Sequence, residues 1–415
     1  MAANRWRGGC LAIAQLNTIT VGGTAAGAQV YSVTINSKIV SYTASGGDSN
    51  TSIATALFTL LAASTIPEFG EVIWANPSAG IITGTAKTAG LSFTNTSAAT
   101  GTGTLVTVVT TANTGPGSWT NALNWSTGSV PVTGDDVTID YESVPITDGL
   151  AQSAVTLNSL TITAAFTGTI GLPENNVNGY YEYRLRYLTI GSTTTYIGTG
   201  PGNGSPQINL DNSSITTTLN VSLTGTSTVA NLEPLQWKGT NAANVVNINR
   251  GVMAIAGYGG DVATVATLNT GYVSDVNNDA QVRCGLGTTL TTISMVGGQL
   301  LIDSGATTIT MTAGLLYVGP GTGINITTLN IIGGTCYYTS TGTVGTTTVG
   351  AAGVLDCSQD TRGRTFTTMT FNAGSGFKDP RRTVSWTTQT LLDCGIEDLT
   401  AYSLGKNIQI TRVNL

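Results

Sequence analysis

The sequence predicts a mainly β protein: a right-handed-type β-solenoid body preceded by a small α/β domain with one helix. Three observations carry this expectation. Glycine-centred segments recur about every 20 residues through the second half of the chain. Glycine is abundant at 53 residues while proline stands at 11, a balance that supplies tight turns without breaking strands. Charged residues make up 9% of the chain, against roughly 25% in an ordinary soluble domain, so Thr, Ser, Asn and backbone must carry the contact with water.

The chain divides into four parts on this reading: an N-terminal arm (1–20), a small α/β docking domain (21–112), the solenoid (113–395) and a C-terminal strand or cap (396–415). The arm offers Trp6 between Arg5 and Arg7, a compact anchor for a pocket on a neighbouring molecule. Alternation over 30–43 around Asn36-Ser37 predicts a hairpin. Ile53, Leu57, Leu60 and Leu61 then fall on one helical face, with Asp48 or Ser49 placed to cap the first turn. Strands are expected over 71–75, 81–85, 91–94 and 105–110, and Gly115-Pro116-Gly117 marks the boundary. One helix over a small sheet is the economical arrangement.

Aligned on glycine, the repeats end at Gly225, Gly251, Gly271, Gly298, Gly314, Gly334, Gly353 and Gly374. Spacing varies between them, as insertions at the turns of a coil stack allow. Five and three residues before the glycine stand Ile293 and Met295, Ile309 and Met311, Leu329 and Ile331, Met369 and Phe371. Two residues after it stand Met253, Val273, Leu300, Leu316, Cys336 and Leu355. Positions of one parity share a strand face, so these should stack as interior columns, with Thr outside. Gly298, Gly314, Gly334, Gly353 and Gly374 should occupy equivalent turns.

Chemistry is sparse. The chain has no histidine, which removes imidazole bases, triads and His-ligated zinc. Five cysteines form no CxxC pair and read as buried free thiols, although Cys336 and Cys357 lie about one coil apart. Neither a metal nor an organic cofactor is expected. Net charge is −6 with scattered cations, so no nucleic-acid partner is expected. No stretch is long and apolar enough for a membrane span, and the first residues make a poor leader, so synthesis in a cytoplasm is expected. One segment interrupts the bland pattern. Over 172–187, Tyr180, Tyr181, Tyr183 and Tyr187 alternate with Glu182, Arg184 and Arg186. Either this insertion packs on its own solenoid, or it is an interface built on Tyr and Arg.

Two stretches resemble phage and prophage structural proteins. NRWRGGCLAIAQLNTITVGGT, with VYSVTINSKIVSYTASGGDSNTSIATAL and PEFGEVIWANPSAGIITGTAKTAGLSFT after it, is similar to the opening of such proteins. GSWTNALNWSTGSVPVTGDDVTID looks like the Trp–Asn-Trp–Gly–Val-Pro–Gly-Asp start of bacterial and phage β-helical surface modules, and GLPENNVNGYYEYRLRYLTIG continues the likeness. The resemblance covers about residues 4–195 and brings no catalytic residues with it. It implies a virion protein without enzymatic activity: a capsid decoration, head fibre or tail appendage, touching other capsid or tail proteins and self-associating, with a trimer favoured. Within the second motif, Trp119 and Trp125 suit a cap over the open first coil, and Gly134-Asp135-Asp136 a turn before a strand over 137–139.

Two other readings use the same body. A tailspike-like glycan-binding or depolymerising enzyme would need carboxylates clustered about 5–10 Å apart. Its candidates, Asp303, Asp356, Asp360 and Asp379, do not share one column. A bacterial surface adhesin is the other reading.

Overall fold

The computed structural model describes residues 3–172, 184–228, 232–271, 280–321 and 323–392, with residues 389–392 in backbone only. Its first unit is small and antiparallel. Strand β1 (Ala3–Arg5) lies apart from it, and β2 (Leu16–Gly23), β3 (Val30–Ile35) and β4 (Lys38–Thr43) begin it. Helix α1 (Asn50–Ala62), β5 (Val72–Ser78), β6 (Ile81–Ala86), β7 (Thr96–Ala99) and β8 (Gly103–Thr111) complete it. One sheet runs β5-β6-β2-β8, the other β4-β3-β7.

The hairpin forms as its sequence dictates. Val33 pairs with Val40, and Asn36 and Ser37 both take positive φ, 48° and 62°, the primed turn that matches strand twist. Ser49 caps α1, accepting from Ser52 N–H, while the Ser52 hydroxyl accepts from Ser49 N–H. Ile53, Ala54, Leu57 and Leu61 are buried against Ile19, Val21, Trp74 and Ile82. Leu60 is 42% exposed, one position outside the apolar stripe, so its expected place on the packed face is corrected. Residues 91–94 form no strand; β7 follows them instead and pairs with β3. The domain also starts earlier than expected, because β2 occupies the centre of the larger sheet.

The body is a β-solenoid. β1 and the strands from β9 (Asp136–Ile139) onward, 21 in all, pair only in parallel, each with its equivalent one coil away. Two stacked sheets result. In the first, Ile293, Ile309, Leu329, Thr347 and Met369 pair in register, as do Met295, Met311, Ile331, Val349 and Phe371. In the second, Met253, Val282, Leu300, Leu316, Cys336, Leu355 and Phe377 form one interior column. Val282 thus holds the place expected for Val273, which lies outside the described residues; a long insertion after Gly271 displaces the motif.

Glycine at the corner is a consequence of coil stacking. Gly298, Gly314 and Gly334 take φ of +78°, +93° and +82°. A Cβ there would stand 2.3, 2.5 and 2.6 Å from a carbonyl oxygen of the preceding coil. Gly353 pairs with Gly334, so four of the five glycines are equivalent. Gly374 is the exception. Val354 pairs with Gly376, which sets Ser375 opposite Gly353. The corner before Gly353 holds one extra residue, because Ile331–Gly333 is matched by Val349–Ala352.

The outward side of the first sheet is a threonine array. Thr267, Thr292, Thr308, Thr328, Thr346, Thr368 and Thr388 pair in sequence, one per coil. Two residues on, Asn269, Ser294, Thr310, Asn330, Thr348 and Thr370 form a second file.

Candidate interaction site

The 172–187 insertion leaves the second sheet in mid-strand. Thr169 and Ile170 pair with Gln207 and Ile208, and Leu188 and Thr189 resume beside Leu210 and Asp211. Asn209 stands opposite the gap, fully buried, and closes it: its Nδ2 donates to Leu172 O at 2.8 Å and to Arg186 O at 3.3 Å. Leu172 N–H donates to Arg186 O across the same neck. Gly171, φ +87°, is required there, since a Cβ would lie 2.3 Å from Arg186 O. Tyr180, Tyr181 and Tyr183 lie outside the described residues. Arg184, Arg186 and Tyr187 are described, and all three are engaged by their own chain.

Arg184 reaches the small domain. Its Nε donates to Ser92 O at 2.7 Å, and its Nη2 pairs with Glu71 at 2.8 Å, both side chains being mostly buried. A second polar tie lies beside it: Asp148 accepts from Ser92 Oγ at 2.6 Å and from Asn113 Nδ2 at 3.1 Å. Between domain and first coils Ser92, Asp148 and Arg184 border a cleft of ≈ 530 Å³, which Leu150 and Leu185 also line.

Arg186 and Tyr187 turn the other way, onto the coils that follow. The Arg186 guanidinium sits 4.4 Å from the Tyr258 ring centroid, and Tyr187 meets Tyr258 edge-on at 6.0 Å. Tyr187 donates its hydroxyl to Asp261, and Lys238 Nζ lies 4.4 Å from the Tyr187 ring centroid and 3.1 Å from Asp261. Burial, then the bond to Asp261, pushes the Tyr187 phenol well above its ordinary range. Burial raises the Asp211 carboxyl, with the nearby Lys238 acting against it. Sequence reasoning placed Arg184, Arg186 and Tyr187 and missed Lys238, Tyr258, Asp261 and Asn209. The signal was rarity: in a chain with 9% charge, a charge beside a coil turn marks a tie.

The arm is corrected. Trp6 is 1% exposed and belongs to the solenoid core, so it is not available to a pocket on a neighbour. β1 pairs with β9 in parallel, Asn4 opposite Val137. Trp6 then meets Trp125 edge-on at 5.1 Å, and Trp125 meets Trp119 at 4.7 Å. Trp125 Nε1 donates to Trp119 O, and the buried Asn124 amide donates to Gly115 O and Ser118 O. Three indoles therefore plug the first coil. Arg5 is exposed and faces Asp140 at 3.2 Å, a pair worth little in water, and Arg7 is exposed.

The four carboxylates weighed for catalysis have separate partners. Asp379, fully buried, accepts from Thr383 N, Thr383 Oγ1 and Val384 N. Asp356 accepts from Ser358 and faces Lys378, while Asp360 binds Arg362. Burial raises the Asp303 carboxyl, with Arg283 opposing. Among the described residues no group of three Asp, Glu, Cys or His converges as a metal site. Among the described residues no helix is long and apolar enough to cross a membrane.

Compared with known proteins, the chain matches no family model, no curated protein and no solved structure.

Proposed function

We propose that this chain is a non-enzymatic structural protein of a bacteriophage particle, a capsid decoration, head fibre or tail appendage that acts by docking to other virion proteins. The observation that carries the structural half of this reading is the joint between the two units. Arg184 and Asp148 tie the small domain to the first coils, and the tryptophan plug closes the same end. A filled, capped coil stack with one domain fixed at its end is built to project or to cover. The phage half rests on the sequence resemblance of residues 4–195.

The docking face fits the same picture. On the side of the larger sheet away from α1, Ile73, Val106 and Val108 are 57%, 53% and 58% exposed, in an apolar and Thr-lined surface. Self-association, with a trimer favoured, completes the proposal and follows the habit of fibres rather than a contact in this chain.

The test is purification of intact particles from the host, with quantification of this chain against the major shell protein. A fixed ratio that survives high salt is expected, and Val106→Glu with Val108→Glu should lower it at least several-fold while the chain still folds. Absence from intact particles, or release of reducing sugar from host polysaccharide by the pure chain, would overturn the reading.

A further inference from the structure

The threonine array on the first sheet has properties that exposed β-strands do not share in general. Threonine is common at outward strand positions because its branched side chain suits a pleated surface. Here it recurs at one register position through consecutive coils, with a second file of Thr, Ser and Asn two residues away. From Thr292 to Thr388 that pairing runs without a register shift between the two files. Rows are therefore about 4.8 Å apart and files about 6.7 Å apart. Branching at Cβ restricts each side chain to few rotamers, so the spacing passes from backbone to hydroxyl.

The hydroxyls of the first file are unengaged. None in the first file, from Thr267 to Thr388, bonds another protein group among the described residues. Elsewhere in the body threonine hydroxyls are tied down: Thr217 donates to Ser192 O and Thr339 to Val318 O. In the second file Asn330 donates to Thr310, and further down Asn269 donates to Asn247 and Asn247 to Asn220, which fixes the amides in a ladder. No charged residue stands in either file. Charge would hold water in a shell of its own geometry.

We propose that this face binds ice, its first file presenting free hydroxyls and its second a mix of hydroxyl and amide groups, at a spacing close to that of oxygen atoms on a prism face of hexagonal ice. A single sugar is disfavoured, because the two clefts in and beside the small domain do not open on the array. A stacked glycan is disfavoured because the files from Thr292 to Thr388 contain no aromatic residue for a sugar ring to cover. The inference is independent of the particle reading, since it concerns the purified chain alone.

The experiment follows a single ice crystal in a solution of the full chain. Faceted growth and a freezing point held below the melting point are expected. Thr328→Lys and Thr346→Lys should each remove most of that gap, whereas Gln299→Lys, outward on the second sheet, should retain it. Circular dichroism melts of the three variants separate lost binding from lost fold. Round crystals with no gap, or a gap unchanged in Thr328→Lys, would overturn the proposal. So would round crystals together with retention on crystalline cellulose or chitin, which would assign the face to a neutral polysaccharide.

Discussion

Thr347 shows how little one residue need change to matter in a coil stack. It is fully buried in the column between Leu329 and Met369, and its Oγ1 has no partner. Burying an unpaired hydroxyl costs about 1–3 kcal/mol. Thr347→Val keeps the shape and removes the hydroxyl, so it should stabilise the body by ~1 kcal/mol, seen as a higher thermal midpoint. The cysteines give a second prediction. Burial pushes the thiols of Cys284 and Cys357 up to about 12 and raises Cys336 as well. At pH 8 a thiol-alkylating reagent should therefore mark half-exposed Cys10 in the native chain, and the three buried cysteines only after unfolding, as read by peptide mass spectrometry. Asp360 sets a pH limit. Its bond to Arg362 holds the carboxyl at about 2, below the ~3.9 of an unfolded chain. The native state is thus favoured by this group above the unfolded value, and that contribution disappears as pH falls from about 4 through 2. Hydrogen exchange in the 358–364 turn should rise across this window, and an Asp360→Asn variant should lack the change.

Among the elements, the neck of the insertion is the most exposed to a single substitution. Asn209→Ala removes the side chain that bridges Leu172 O and Arg186 O, so Leu172 O loses its 2.8 Å donor while Arg186 O keeps the Leu172 N–H. A cost of about 1–3 kcal/mol is expected, with faster hydrogen exchange at Leu172 and Leu188 and little change at the C-terminal coils. Local signals of this kind were readable in the sequence to different degrees. The Asn36-Ser37 hairpin and the Ser49-capped helix were legible because turn and cap chemistry lie within a few residues of each other. Residues 91–94 have strand-like composition, but the place beside β3 is taken by β7. The corner at Gly374 was misplaced by one residue because a bulge in the neighbouring coil is silent in composition. Asn209 looked like any other polar strand residue; only its position opposite a broken strand gives it a task.

At the scale of the molecule, periodicity revealed the solenoid and could not reveal what closes it. Interior columns repeat, so a single sequence carries many copies of the signal. A cap occurs once, and its parts are far apart: Trp6 bonds into the coil through strand β1, while Trp119 and Trp125 arrive more than a hundred residues later. The Trp119–Trp125 pair was recognisable as a cap from its motif. Trp6, lying between two arginines, read as an anchor for another molecule. The structure makes it the outer member of its own plug, which changes what truncation should do. Removing residues 1–10 deletes the strand paired with β9 and uncovers Trp125, and the first coil then meets water with an unpaired edge and an apolar end. Trp6→Ala alone should cost about 3–5 kcal/mol by the usual penalty for emptying a buried aromatic site. In a stack whose coils contact only their neighbours, that loss stays near the end where it occurs. Hydrogen exchange should therefore accelerate at Val137, Leu160 and Ile139, and remain unchanged at Ile309, Leu329 and Met369. Uniform acceleration along the whole body would show that the coils unfold as one unit, and an unchanged first coil would show that Trp6 is not the plug its burial makes it.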